Sequence, residues 1–164
     1  MDYFFSATHL HLMLNHVPVL GTIFVFILLV WGLVRRSREI TSLGLLFTVI
    51  LALVTIPIYL TGEPTEEAQE HAPWFDKKRG NEHEEKAERG LIAVLVTGAV
   101  ALGALWLRRG GRPGNGAVTG VAVAALGVSA ALFALAALEG GQIHHEELRP
   151  GAAVTAPGPE GDSD

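Results

Sequence analysis

The side chains of this 164-residue chain best suited to chemistry are its seven histidines, His9, His11, His16, His71, His83, His144 and His145. Imidazole is the commonest metal ligand and a standard axial ligand of haem. Cysteine is absent, which excludes disulfides, thiolate metal sites, iron–sulfur clusters and thioether-linked haem. Any metal or haem is therefore held by nitrogen and oxygen donors. His83-Glu84 opens like the helix of a zinc protease, but Ala87 stands where the second histidine is required. A hydrolase reading fails too, because the chain carries no nucleophile motif.

Spacing sorts the histidines. On one helix His9 and His16 share a face about 10 Å apart along the axis, while His11 points elsewhere. Asn15 and His16 are polar groups at the boundary of an apolar helix, where such groups face the bundle interior, and Pro18 removes a backbone donor beside them. From His83, helical steps reach Ala87, Gly90, Val94, Gly98 and Ala101. That stripe is small throughout, so His83 stands above a face suited to close packing. Gly140-Gly141 should break the helix before His144 and His145, let backbone approach a ligand closely, and turn one of the two imidazoles inward.

The elements that position these residues are read from charge. Tyr3–Val34, Ile40–Gly62, Gly90–Leu107 and Pro113–Leu138 contain no Asp, Glu, Lys or Arg, and the shortest has 18 residues. A hydrocarbon core takes roughly 20 helical residues to cross, and apolar runs without strict alternation favour helices over a barrel. The fold class is all-α, a membrane four-helix up-down bundle within residues 1–150. Its spans cover about 12–34, 41–61, 89–108 and 117–138, with a charged loop over 62–88 and a disordered tail over 151–164. Apolar residues at 49% and charged residues at only 18% agree with a chain in contact with the lipid bilayer. The start, Met1-Asp2-Tyr3, lacks the basic opening of a secretory signal, so the first span is expected to be retained.

Within these elements, Pro57 should kink the second helix and Asn81 should cap a helix running through His83. Gly98, Gly103, Gly120 and Gly127 should allow close helix approach. Pro113 to Gly116 should form a tight turn.

Arg35, Arg36, Arg38, Arg108, Arg109 and Arg112 flank two connections that hold a single carboxylate, Glu39, whereas the other ends and loops hold 16 carboxylates and six cations. The positive-inside tendency places the arginine connections in the cytoplasm, with both termini and all seven histidines outside. The net charge of -5 and the lack of a basic stripe exclude nucleic acid as a partner. No charged residue lies near the middle of any span, which argues against a transporter.

The pattern His-x-His-x3-Asn-His-x-Pro at the first outer end, Thr61-Gly62-Glu63 at the second, His83 before the third span and Gly140-Gly141-x-x-His after the fourth resembles an uncharacterised family of small four-helix bacterial membrane proteins. His16-Val17-Pro18 and Gly140-Gly141 match its His-Phe-Pro-like start and its Gly-Gly end. The proline directly after the first histidine is absent. The resemblance implies a multi-pass protein of the bacterial inner membrane connected with redox or haem complexes, and names no reaction.

Two imidazoles between helices suit haem b, so the leading expectation is an electron-transfer or redox subunit rather than a stand-alone enzyme. Its ligands are expected to be His16 and His83, with His145 or His9 in reserve and Gly140 and Gly141 giving access to the ring. A non-haem Cu, Zn or Fe ion on His16, His83, His145, His11 and Glu84 is the first alternative. A structural accessory subunit is the second, and either redox reading implies other subunits of a respiratory or redox complex as partners. The charge asymmetry makes the topology testable. On intact cells an impermeant thiol reagent should label Ala72→Cys and leave Gly114→Cys unlabelled; the reverse pattern would invert the orientation.

Overall fold

Four stretches of helix in the computed structural model are long and apolar enough to cross a membrane: Ala7–Val34, Arg38–Gln69, Lys77–Arg109 and Gly116–Ile143. The structure describes residues 6–110, 115–149 and 151, and among them there is no strand. The helices are α1 (Ala7–Leu14), α2 (His16–Val34), α3 (Arg38–Leu60), α4 (Gly62–Gln69), α5 (Lys77–Arg109) and α6 (Asn115–His144), followed by a 3-10 turn over Glu146–Leu148. In the bundle α2 packs on α3, α3 on α5, α5 on α6, and α6 returns to α2. The first two residues of the turn expected at Pro113 to Gly116 lie outside the described residues, as does the expected tail beyond Gly151.

The distribution of residues reverses that of a water-soluble bundle. Leu20, Phe24, Ile27, Trp31, Leu53 and Trp106 are exposed, whereas Thr22, Thr48, Thr97, Thr119 and Ser129 are fully buried. Lipid tails are as apolar as leucine, so nothing drives large side chains inward, and small residues let the helices approach instead. Most of the buried hydroxyls bond to their own helix, as from Thr22 Oγ1 to the Pro18 carbonyl at 2.8 Å, Thr48 to Gly44 at 2.9 Å and Thr55 to Leu51 at 2.7 Å. Thr97 and Ser129 also meet each other across α5 and α6 at 3.1 Å. No hydroxyl in this set is left dry and unpaired, which in hydrocarbon would cost several kcal/mol, on the order of the backbone penalty.

The stripe below His83 is inward as its residue types imply, with Gly90, Val94, Gly98 and Ala101 all buried. Of the four glycines singled out for close approach, Gly98 is the tightest: a Cβ there would stand 2.7 Å from the Ala52 Cβ of α3. Gly127 faces Phe26 of α2, while Gly103 and Gly120 have open space where a Cβ would go.

Three local expectations are corrected. The helix through His83 begins at Lys77, not after Asn81, because the Asp76 carboxylate accepts from the Lys78 and Arg79 N–H groups at 3.0 and 3.3 Å and so satisfies two donors that an N-terminus leaves open. Gly140 and Gly141 do not break α6, which continues to His144; Arg149 caps it, donating to the Gln142 and Ile143 carbonyls at 3.0 and 3.3 Å. Packing at Gly140, described below, outweighs the roughly 1 kcal/mol helix preference that a glycine forfeits. The charged loop expected over 62–88 is partly helical, with α4 starting at Gly62; Pro64 is tolerated because first-turn N–H groups have no helical partner.

The first arginine connection is very short. Ser37 N–H bonds the Gly32 carbonyl at 2.9 Å and Arg36 N–H the Leu33 carbonyl at 3.0 Å, with Arg36 at φ 51°. These paired bonds end α2 in a Schellman motif, and the Ser37 hydroxyl, accepting from Ile40 N–H at 3.3 Å, caps α3 at once.

Gly98→Ala should cost about 1–3 kcal/mol by overpacking, measured by denaturant titration in detergent micelles. Adding Ala52→Gly should recover most of that cost, and Gly103→Ala should be close to neutral. Equal costs at Gly98 and Gly103 would contradict the packing described.

Candidate functional site

At the end of the bundle away from Arg38 and Arg108, the helices enclose a cavity of about 500 Å3. That is within the range of roughly 300–1,000 Å3 typical of sites for organic ligands and cofactors. Four imidazoles, His11, His16, His83 and His145, line it together with the carboxylates of Glu63, Glu66 and Glu84. Apolar wall is supplied by Leu12, Val19, Ile58, Phe133 and Ile143, and Gly140 and Gly141 belong to the same wall.

His83 is held by an unusual combination. Its Nδ1 lies 2.7 Å from the Ala136 carbonyl oxygen of α6, and a carbonyl only accepts, so Nδ1 carries a proton and, in the neutral ring, Nε2 is the nitrogen with the lone pair. Gly140 makes this possible, since a Cβ there would stand 3.0 Å from His83 Cε1 and 3.1 Å from Nδ1. The glycine is needed for the imidazole to reach a neighbouring backbone.

His11 is held in the same way on the opposite side. Its Nδ1 is 3.3 Å from the Ile58 carbonyl and 3.2 Å from Thr61 Oγ1. Thr61 Oγ1 donates its own proton to the Ile58 carbonyl at 2.6 Å, so toward His11 it acts as acceptor. Both contacts therefore require a protonated Nδ1, and Nε2 is again the free nitrogen. The orientation differs from the expectation that His11 points elsewhere. His11, Asn15, Pro18, Thr22, Val25, Leu29 and Gly32 recur at alternating steps of four and three, and the last five are buried. Followed back from the core, that stripe ends on His11. His16 falls beside it, exposed, though it still lines the cavity. Asn15 separates α1 from α2; its N–H still bonds the His11 carbonyl at 2.8 Å, but Pro18 has no N–H for the Leu14 carbonyl.

The other expected residues lie at the rim or beyond it. His145 is exposed, with Nδ1 2.8 Å from Glu147 Oε1, and the Glu147 carboxyl is held below its ordinary range, first by its own backbone N–H and then by His145. His9 is half-buried in α1 and does not border the cavity. His71 is exposed, 3.6 Å from Glu70. The side chain of His144 lies outside the described residues.

One buried polar atom in the cavity wall, Asn15 Oδ1, has no hydrogen-bond partner.

Sequence reasoning missed the clamp that holds α5 against α6 beside this site. Glu139, 13% exposed, receives Arg79 at 3.1 Å and is also paired with Lys86, and Arg79 bonds the buried Gln142 side chain. Arg79 and Lys86 are seven residues apart and so share one face of α5. Glu139 is the first charged residue after the fourth apolar stretch, and those two facts together were the available signal.

Among the described residues, no three His, Asp or Glu side chains come close enough together to hold a metal ion. Compared with protein-family models, with curated proteins and with solved structures, the chain matches none.

Proposed function

We propose that the cavity is a haem b site and that the chain is a membrane electron-transfer or redox subunit. The carrying observation is the pair His11 and His83: two imidazoles from different spans border one cavity, each with Nδ1 fixed on a carbonyl and Nε2 left free. Histidines that bind metals or haem almost always have their other ring nitrogen committed in this manner, which sets tautomer and ring direction. The donor set fits a macrocycle that brings four nitrogens of its own and asks the protein for two more. Haem b bound there supplies one-electron chemistry whose potential depends on its ligands and burial. His11 and His83 would hold the ring, Phe133, Ile58 and Val19 would exclude water from it, and Gly140 makes room for the His83 imidazole.

In this reading the bundle is up-down, with both termini and the site on the periplasmic face of a bacterial inner membrane. Support comes from Arg38 meeting Arg108, His11 meeting Ile58 and His83 meeting Ala136, which set the start of one helix beside the end of its neighbour. The charge asymmetry across the spans supports the orientation. Electrons pass to or from other subunits of a respiratory or redox complex.

The carboxylates of Glu63, Glu66 and Glu84 on the same cavity favour one second reading, a non-haem Cu, Zn or Fe site completed by movement of these side chains toward the imidazoles.

Protein purified from haem-replete cells should show a reducible haem b spectrum and a positive pyridine haemochrome assay. His83→Ala and His11→Ala should each abolish the low-spin signal or convert it to high spin, and His71→Ala should leave it unchanged. Loss in His16→Ala with His11→Ala unaffected would keep the site and change its first-span ligand. Colourless protein that takes up no haem on titration would overturn the proposal, and stoichiometric Cu, Zn or Fe without haem would establish the second reading.

A further inference from the structure

At the opposite end of the bundle Arg38 and Arg108 cross. Arg38 Nη2 donates to the Arg108 carbonyl at 3.2 Å, Arg108 Nη2 returns a bond to the Arg38 carbonyl at 3.2 Å, and Arg108 Nε lies 3.3 Å from Ser42 Oγ. The two guanidiniums are thus fixed side by side on the ends of α3 and α5, and none of the ion pairs among the described residues involves either of them or Arg109. A guanidinium has five N–H donors. These contacts use one on Arg38 and two on Arg108, which leaves a set of fixed, charged donors at the membrane surface.

Below them is a cavity of about 540 Å3, lined by the three arginines, Glu39, Ser42, Leu43, Leu46 and Leu105. Leu43 and Leu46 are each 45% exposed and belong to the lipid-facing side of α3. The cavity therefore has a cationic upper wall, at the level where headgroups lie, and an apolar floor that continues into the hydrocarbon. Glu39 is the one carboxylate on it.

We infer that this groove between α3 and α5 binds an anionic phospholipid, with the phosphodiester on Arg38 and Arg108 and an acyl chain along Leu43, Leu46 and Leu105. The charge complementarity selects the headgroup: guanidinium pairs recognise phosphate through short, charge-assisted bonds, and basic pockets between spans are where anionic headgroups are held. The apolar floor selects a lipid over a soluble phosphate. The inference does not depend on the cofactor at the other end.

The test is native mass spectrometry of the full chain released from detergent with phosphatidylglycerol or phosphatidylcholine. Wild-type protein should retain phosphatidylglycerol in preference to phosphatidylcholine. At about fivefold per arginine near a membrane surface, Arg38→Gln with Arg108→Gln should weaken retention by about 30-fold. Arg35→Gln with Arg36→Gln removes the same charge at the same end but not from the groove, and should weaken it far less. Leu46→Trp obstructs the floor without altering charge and should also reduce retention, which keeps the test decisive should the double arginine variant misfold. Equal losses in the two double variants, undiminished binding in Leu46→Trp, or equally tight binding of glycerol phosphate would each overturn the inference.

Discussion

The bilayer removes the hydrophobic force between helices, and the structure is organised around that constraint. With lipid as apolar as any core, the spans adhere through small residues in close contact and hydroxyls satisfied within their own helices. Gly98 against Ala52 and Thr97 against Ser129 are what this looks like in the middle of the bundle. Charges and imidazoles are excluded from that middle and collect at the two ends. Function must therefore be built toward the helix ends, where polar side chains are tolerated.

The histidine end draws on backbone carbonyls of neighbouring helices, one in a last turn and one inside a helix. Ile58 is in the last turn of α3, and its carbonyl serves both Thr61 and His11; Ala136 lies just before Gly140 in α6, and its carbonyl anchors His83. Each bond fixes which ring nitrogen is protonated, so neighbouring backbone geometry converts two flexible side chains into directed acceptors. The clamp of Arg79, Lys86, Glu139 and Gln142 stands beside the cavity rather than on it and holds α5 to α6 where His83 crosses between them. Without that register His83 would miss the Ala136 carbonyl. At the arginine end Arg38 rests on the Arg108 carbonyl in the last turn of α5, and Arg108 on the carbonyl of the first residue of α3.

Much of the fold was legible in the charge-free stretches, because the length needed to cross hydrocarbon is a hard physical limit. The inward stripe of α5 was equally plain from Gly90, Val94, Gly98 and Ala101. What escaped was decided by tertiary contact. Gly140-Gly141 reads as a helix stop by propensity, yet the helix continues because His83 occupies the space a Cβ would take. Asp76 and Asn81 are both good caps by residue type, and it is Asp76 that accepts from the Lys78 and Arg79 N–H groups. His16 drew attention as a polar residue at the membrane boundary, but the buried stripe through Thr22 and Pro18 leads to His11. Both residues line the cavity, His11 with its Nδ1 held and His16 exposed.

The central claim is that His11 and His83 present free Nε2 lone pairs to one cavity because backbone carbonyls hold their Nδ1 protons. Nitrogen-15 NMR of histidine-labelled, cofactor-free protein in micelles at neutral pH, assigned with single His→Gln variants, reads the tautomer of each ring directly. His11 and His83 should both be in the Nδ1–H form. Finding His83 in the Nε2–H form would contradict this arrangement.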